Sequence, residues 1–126
     1  MKKILIIEDE EAIRFILEKR LSDAGYFVIS AEDGIEGLNK LRKENPDLIV
    51  LDLMLPGLDG YQICSLIKRD RRYAHIPVLI LTARIQQKDY EMAMAVGADA
   101  FLTKPFESQV LLSKIEELLK NNKKEE

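Results

Sequence analysis

The stretch Leu48–Gly60, LIVLDLMLPGLDG, decides how the chain is read. Leu48 to Leu51 are apolar without alternation, the pattern of a strand covered on both faces, as in a parallel sheet. Asp52 ends that run where an unpaired, dry carboxylate would cost several kcal/mol or would have to take up a proton. Gly57, Asp59 and Gly60 then supply turn chemistry, with Asp59 placed to cap a third helix. The role of Asp52 is the question the rest of the chain has to answer.

Working outward, the same kind of apolar run recurs at Ile4 to Ile7, Tyr26 to Ile29, Val78 to Leu81 and Ala100 to Leu102, each separated from the next by a segment of helical period. The first helix places Ile13, Ile16, Leu17, Leu21 and Ala24 on one stripe and stops at Gly25, a residue suited to a left-handed cap. The second runs from about Gly34 to Lys43, and Asn45-Pro46-Asp47 turns the chain into the third strand. Leu111, Leu112, Ile115, Leu118 and Leu119 make the last helix amphipathic. Strand and helix in alternation imply an α/β fold, a parallel sheet with right-handed crossovers and helices on both faces. Residues 1–120 are expected to form one domain and residues 121–126 a solvated tail.

Composition narrows the function. The 126 residues fit one domain of about 100 to 200 residues, and 47% hydrophobic with 33% charged residues allow a real core in a soluble chain. Nineteen basic residues against 22 acidic, net −3 and pI near 5.3, leave no electrostatic footprint for nucleic acid or an anionic membrane. Cys64 is the single cysteine, so no internal disulfide forms, which fits a reducing compartment. MKKILII imitates the start of a signal peptide, but its apolar run ends at once in Glu8-Asp9-Glu10-Glu11, and no other stretch is long enough to span a bilayer. A cytoplasmic location, without direct nucleic-acid or membrane binding, is expected.

In an open parallel sheet the crevice lies beyond the carboxyl ends of the strands. There the first strand ends in Glu8-Asp9, the third in Asp52, the fourth in Thr82-Ala83 and the fifth in Thr103-Lys104-Pro105. Each has a bland explanation alone: helix-opening acids for the macrodipole, a turn aspartate, a threonine N-cap, a surface lysine. Their coincidence at one end of neighbouring strands points to a site instead. Clustered carboxylates repel unless a cation neutralises them, and an oxygen-loving divalent ion such as Mg²⁺ is the economical solution. An ionised aspartate is a nucleophile at neutral pH and forms acyl phosphates, with Lys104 and the Thr82 hydroxyl suited to bind phosphoryl oxygens. Asp52 thus reads as a phosphorylation site.

These residues carry a family resemblance. With ILIIEDE, PDLIVLDLMLPGLDG, VLILTA and GADAFLTKPF in order and spacing, the whole chain resembles a receiver domain of a two-component response regulator. The resemblance implies a flavodoxin-like, doubly wound, five-stranded parallel sheet of order 2-1-3-4-5 with five helices. It implies a phosphorylation-dependent switch that takes a phosphoryl group from a histidine kinase or phosphotransfer protein, and not an enzyme in the usual sense. Asp52 would be the phosphoacceptor, Glu8 and Asp9 the acidic pair at Mg²⁺ (or Mn²⁺), and Met54 a metal ligand through its backbone carbonyl. Thr82 would be the switch hydroxyl, Phe101 the switch aromatic without a tyrosine's hydroxyl, and Lys104 the phosphoryl partner with a cis bond to Pro105. Output would pass through the surface of the fourth helix, fifth strand and last helix to a partner or a detached effector domain. A phosphorylation-dependent homodimer there would draw charges from Asp99 and Lys114, although Ala100 and Val110 depart from the paired-charge pattern of dimerising regulators. Met54 and Arg84, two residues beyond Asp52 and Thr82, would set a long phosphorylated lifetime. Met54 offers no strong hydrogen bond to orient an attacking water, and the long side chain of Arg84 would cover the phosphoryl group or pair with a nearby carboxylate.

The other noted residues have plainer readings. Cys64 shares a helical face with Ile63 and Ile67 and reads as a buried structural thiol. His75 lies in a polar connection and reads as neither ligand nor catalyst. Phe15, off the stripe of the first helix, reads as an exposed aromatic of no special role, although the resemblance implies kinase docking on this helix. A flavodoxin is disfavoured because EDEEA would repel a flavin phosphate, and a haloacid-dehalogenase type phosphatase because Met54 stands where a second aspartate is needed. The remaining alternative is a pseudo-receiver, a protein-binding module that signals without phosphate.

Overall fold

The computed structural model describes residues 1–83 and 86–121. Five strands, β1 (Lys3–Ile7), β2 (Phe27–Ala31), β3 (Leu48–Leu51), β4 (Val78–Thr82) and β5 (Ala100–Thr103), alternate with five helices. These are α1 (Glu11–Asp23), α2 (Gly34–Glu44), α3 (Gly60–Arg69), α4 (Gln87–Ala95) and α5 (Ser108–Asn121). All strand pairs are parallel and the order is β2-β1-β3-β4-β5, the doubly wound order that the resemblance implied.

The continuous apolar runs are explained by cover on both faces. Because strand side chains alternate, Leu5, Ile7, Ile49, Leu51, Val78 and Ile80 face one layer, built with Leu41 of α2, Ile63 and Ile67 of α3 and Ala93 of α4. Ile4, Ile6, Leu48, Val50, Leu79 and Leu81 face the other, built with Leu17 and Leu21 of α1 and Leu111 and Ile115 of α5. Cys64 is buried in the first layer, as its helical position indicates.

One helix face and several element ends differ from the sequence expectation. The stripe of α1 is narrower than its apolar residues suggest: Leu17 and Leu21 are buried, but Ile16 is 40% exposed and Ala24 is exposed. Leu17 and Leu21 stack at i, i+4, while Ile16 is turned about 100° from Leu17 and leaves the contact row. β2 starts at Phe27 instead of Tyr26, because the Tyr26 amide closes the end of α1 by donating to the Leu21 carbonyl at 3.1 Å. That closure needs Gly25 at φ +98°, the left-handed conformation expected of it. Finally, α5 extends through Asn121, the first residue of the expected tail, and residues 122–126 lie outside the described residues. No helix among the described residues is long and apolar enough to cross a membrane.

Candidate functional site

Backbone hydrogen bonds carry the sheet one residue past its strands and set the site residues on that frame. The Glu8 amide donates to Ala31, the Asp52 amide to Ile7 at 3.1 Å, and the Lys104 amide to Thr82 at 2.8 Å. The ends of β1, β3, β4 and β5 are thereby held in register, and the polar residues that follow them converge on one edge. Asp52 (4% exposed), Glu8 (2%) and Thr82 (0%) are buried there, while Asp9 is exposed.

Carboxylate oxygens of Glu8, Asp9 and Asp52 all lie within 4.8 Å of one another. Lys104 enters this group from the β5 side, its Nζ 2.9 Å from Glu8 Oε1, 3.1 Å from Asp52 Oδ2 and 3.4 Å from Glu10 Oε1. The Lys104–Pro105 peptide bond is cis. Asp52 Oδ1 accepts from the Met54 amide at 3.2 Å, and Glu8 Oε2 accepts from the Glu10 amide at 3.2 Å. Asp9, Glu10, Asp52, Met54, Ala83 and Lys104 line a cavity of about 350 Å³ beside these groups.

The electrostatics follow from burial. Loss of water pushes the Glu8 carboxyl up to about 7; the Lys104 hydrogen bond opposes this, and the Asp52 charge adds to it. Burial alone would push Lys104 down, but hydrogen bonds and charge from Glu8 and Asp52 outweigh it and hold the ammonium above its ordinary value. Among the described residues, the Lys104 ammonium alone does not balance the clustered carboxylates, which leaves an excess of negative charge. The donors are all oxygen and one of the three carboxylates, Asp9, is open to solvent, so the cluster fits a hard divalent cation such as Mg²⁺ or Mn²⁺ that keeps several waters.

The start of α3 packs against the Asp52 backbone. Asp59 caps that helix through a reciprocal pair with Gln62, its carboxylate accepting from the Gln62 amide at 3.0 Å while its own amide donates to Gln62 Oε1 at 3.0 Å. Gly60 is the first helical residue, and its amide donates to the Leu53 carbonyl at 2.9 Å. A Cβ at Gly60 would stand 2.4 Å from the Asp52 carbonyl oxygen, so this glycine serves close approach to the Asp52 backbone and not the turn geometry expected from its sequence context.

Phe101 is half-buried on the layer of α2, α3 and α4, and its ring packs edge-to-face with Tyr90 of α4, centroids 5.6 Å apart at 76°. Met54, 51% exposed, stands at the mouth of the cavity. Arg84 lies outside the described residues. Asp99 is engaged within the chain, its Oδ2 2.8 Å from both Lys68 Nζ and the Val78 amide, and Lys114 pairs with Glu117 at 3.4 Å. Phe15 is 66% exposed, as its helical position indicates.

Two participants were not singled out from the sequence. Glu10 reaches Lys104, and Arg14 Nη1 donates to the Glu8 carbonyl at 2.8 Å, tying α1 to the acidic loop. The EDEE run signalled the first, but nothing in the spacing marks Arg14. Far from the site, Cys64 is buried and its thiol is pushed up to about 11 by loss of water, the condition of an inert structural cysteine.

Residues 4–116 match the family described as the response regulator receiver domain. The DNA-binding dual master transcriptional regulator RpaA of Synechocystis is 46% identical over 120 residues, 95% of this chain and 50% of that protein. The chain spans about half the length of the curated relatives it matches. Chemotaxis protein CheY4 of Vibrio cholerae superposes with a TM-score of 0.89 at 33% identity, covering 94% of this chain and 98% of that one. The receiver domain of sensor histidine kinase PA1611 from Pseudomonas aeruginosa, solved with a magnesium ion coordinated in its active site cleft, gives 0.88 at 29% identity over 95% and 98%.

Proposed function

The chain belongs to the response regulator receiver domain family, and from that premise we propose that it is a working phosphorylation switch with Asp52 as the acceptor. The observation that carries the proposal is the grouping of Asp52 with Lys104 at 3.1 Å and with the Glu8 and Asp9 carboxylates within 4.8 Å, at the edge of an open cavity. A carboxylate oxygen of ionised Asp52 attacks the phosphorus of a phosphohistidine. The new O–P bond forms as the P–N bond breaks, and the imidazole leaves with the electron pair. Lys104, already placed between the carboxylates, turns its ammonium to the transferred group's oxygens, and Thr82 offers its hydroxyl to another. Glu8, Asp9, Asp52 and the Met54 backbone carbonyl would hold Mg²⁺ or Mn²⁺, which supplies charge neutralisation on the phosphoryl group.

Movement of Thr82 toward the phosphoryl group vacates space for Phe101 to turn inward, and the surface of α4, β5 and α5 changes with it. A histidine kinase or phosphotransfer protein acts as donor, and an output partner or a detached effector domain reads that surface. With Asp99 committed to Lys68, a phosphorylation-dependent homodimer through the same surface has to draw on other groups. Cytoplasmic placement and the absence of direct nucleic-acid contacts complete the proposal. The test is incubation with acetyl phosphate and Mg²⁺ followed by intact mass spectrometry: one added phosphate supports the switch, and none leaves the pseudo-receiver.

A further inference from the structure

α4 carries Tyr90, which packs on the proposed switch aromatic, yet its N-cap residue, Gln86, makes no side-chain capping bond. An uncapped first turn leaves backbone amides to be satisfied by other means and is easily displaced. Here it is held from outside. Asp89, in that first turn and only 5% exposed, accepts at Oδ1 a 2.8 Å hydrogen bond from the Tyr61 hydroxyl of α3. The same hydroxyl lies 3.3 Å from the Asp89 carbonyl oxygen. Tyr61 follows Gly60, the residue seated on the Asp52 backbone. On its other side Asp89 adjoins Tyr90, whose ring packs edge-to-face with Phe101. The first turn of α4 is thus tied through one residue to the helix that abuts the Asp52 backbone, and through the next to the switch aromatic.

We infer that Tyr61 is a positioning residue, which holds α4 in its resting placement and so opposes the phosphorylation switch. Its role rests on the receiver function proposed above. An inward turn of Phe101 withdraws the surface on which Tyr90 rests and draws the first turn of α4 after it. The Tyr61–Asp89 hydrogen bond resists that displacement because α3 is fixed to the Asp52 backbone through Gly60. A contact made better in one state than the other shifts the equilibrium by the difference. Removing the hydroxyl raises the population of the active arrangement and tightens any ligand that selects it.

Tyr61→Phe removes the hydroxyl and keeps the ring. Without any phosphoryl donor, amide hydrogen exchange across residues 87–95 accelerates in this variant while α1 and α5 exchange as in the parent. Titration with beryllium fluoride in saturating Mg²⁺, a stand-in for the phosphoryl group on the aspartate, gives a half-saturation about three- to tenfold lower than the parent, the worth of one net hydrogen bond. A half-saturation equal to or above the parent's overturns the inference, even with faster α4 exchange, and leaves the receiver function standing. A parent protein that takes up no beryllium fluoride overturns both.

Discussion

Lys104 Nζ lies 2.9 Å from Glu8 Oε1, a contact between the fifth and first strand ends made by two side chains no more than 10% exposed. That ammonium neutralises part of the charge of the buried Glu8 and Asp52 carboxylates. Lys104→Met should therefore destabilise the protein in chelator by about 3 kcal/mol, the usual cost of removing one partner of a buried pair. Urea denaturation measures it, and Mg²⁺ should recover most of the loss. A variant as stable in chelator as the parent would show that the pair contributes nothing.

The raised Glu8 carboxyl makes stability depend on pH with a definite sign. Because its folded value, about 7, exceeds the ordinary 4.5, ionising Glu8 is harder in the folded chain than in the unfolded one. Its contribution is complete below 4.5 and is lost as pH rises through about 7, a change on the order of 3 kcal/mol. In chelator, the parent should lose stability relative to Glu8→Gln between pH 4.5 and pH 7. Parallel curves for the two proteins across that window would contradict the assignment.

Asp52→Asn keeps the side-chain shape and removes the nucleophilic charge. It should incorporate no phosphate from acetyl phosphate while its stability stays within about 1 kcal/mol of the parent, since one lost Lys104 partner is set against relieved repulsion with Glu8. Phosphate incorporation at the parental rate would assign the acceptor elsewhere.

Met54 stands at the mouth of the cavity and offers no strong hydrogen bond to orient a water behind phosphorus. Met54→Asn should shorten the lifetime of the phosphorylated protein several-fold, read as the decay of phosphoprotein after donor removal with Mg²⁺ in excess. Unchanged decay would take Met54 out of the clock.

Asp99 is a structural group. Its carboxylate holds Lys68 and the buried Val78 amide, so Asp99→Ala should cost about 1–3 kcal/mol through the orphaned amide. Thermal denaturation checks the cost. Sedimentation with beryllium fluoride and Mg²⁺ should give the same association state as the parent, and a change there would return Asp99 to an interface.

Much of this architecture was legible in the sequence because it depends on local pattern. Uninterrupted runs such as Leu48 to Leu51 announce strands covered on both faces, and chemistry at parallel strand ends follows from topology, so Glu8, Asp9, Asp52, Thr82 and Lys104 could be placed together. Contacts between elements were not legible. Arg14 on the Glu8 carbonyl, Tyr61 on Asp89 and Lys68 on Asp99 depend on how helices seat against the sheet, which no periodicity encodes. Ile16 shows the same limit on one helix: its place on an apolar stripe says nothing of how wide the contact with the sheet will be.

β5 stands at the margin of the sheet and is hydrogen-bonded only to β4, whereas β3 has a neighbour on each side. Displacing β3 would strain two ladders, but displacing β5 strains one. Asp52 follows the central strand, whereas Phe101 lies on the marginal strand and Lys104 directly after it. The sheet is consequently stiffer at Asp52, where the proposed phosphoryl transfer needs fixed geometry, and more compliant at β5, where the proposed partner would read it. Mechanical compliance, graded across five strands by their order alone, is thus available to the fold before any loop moves.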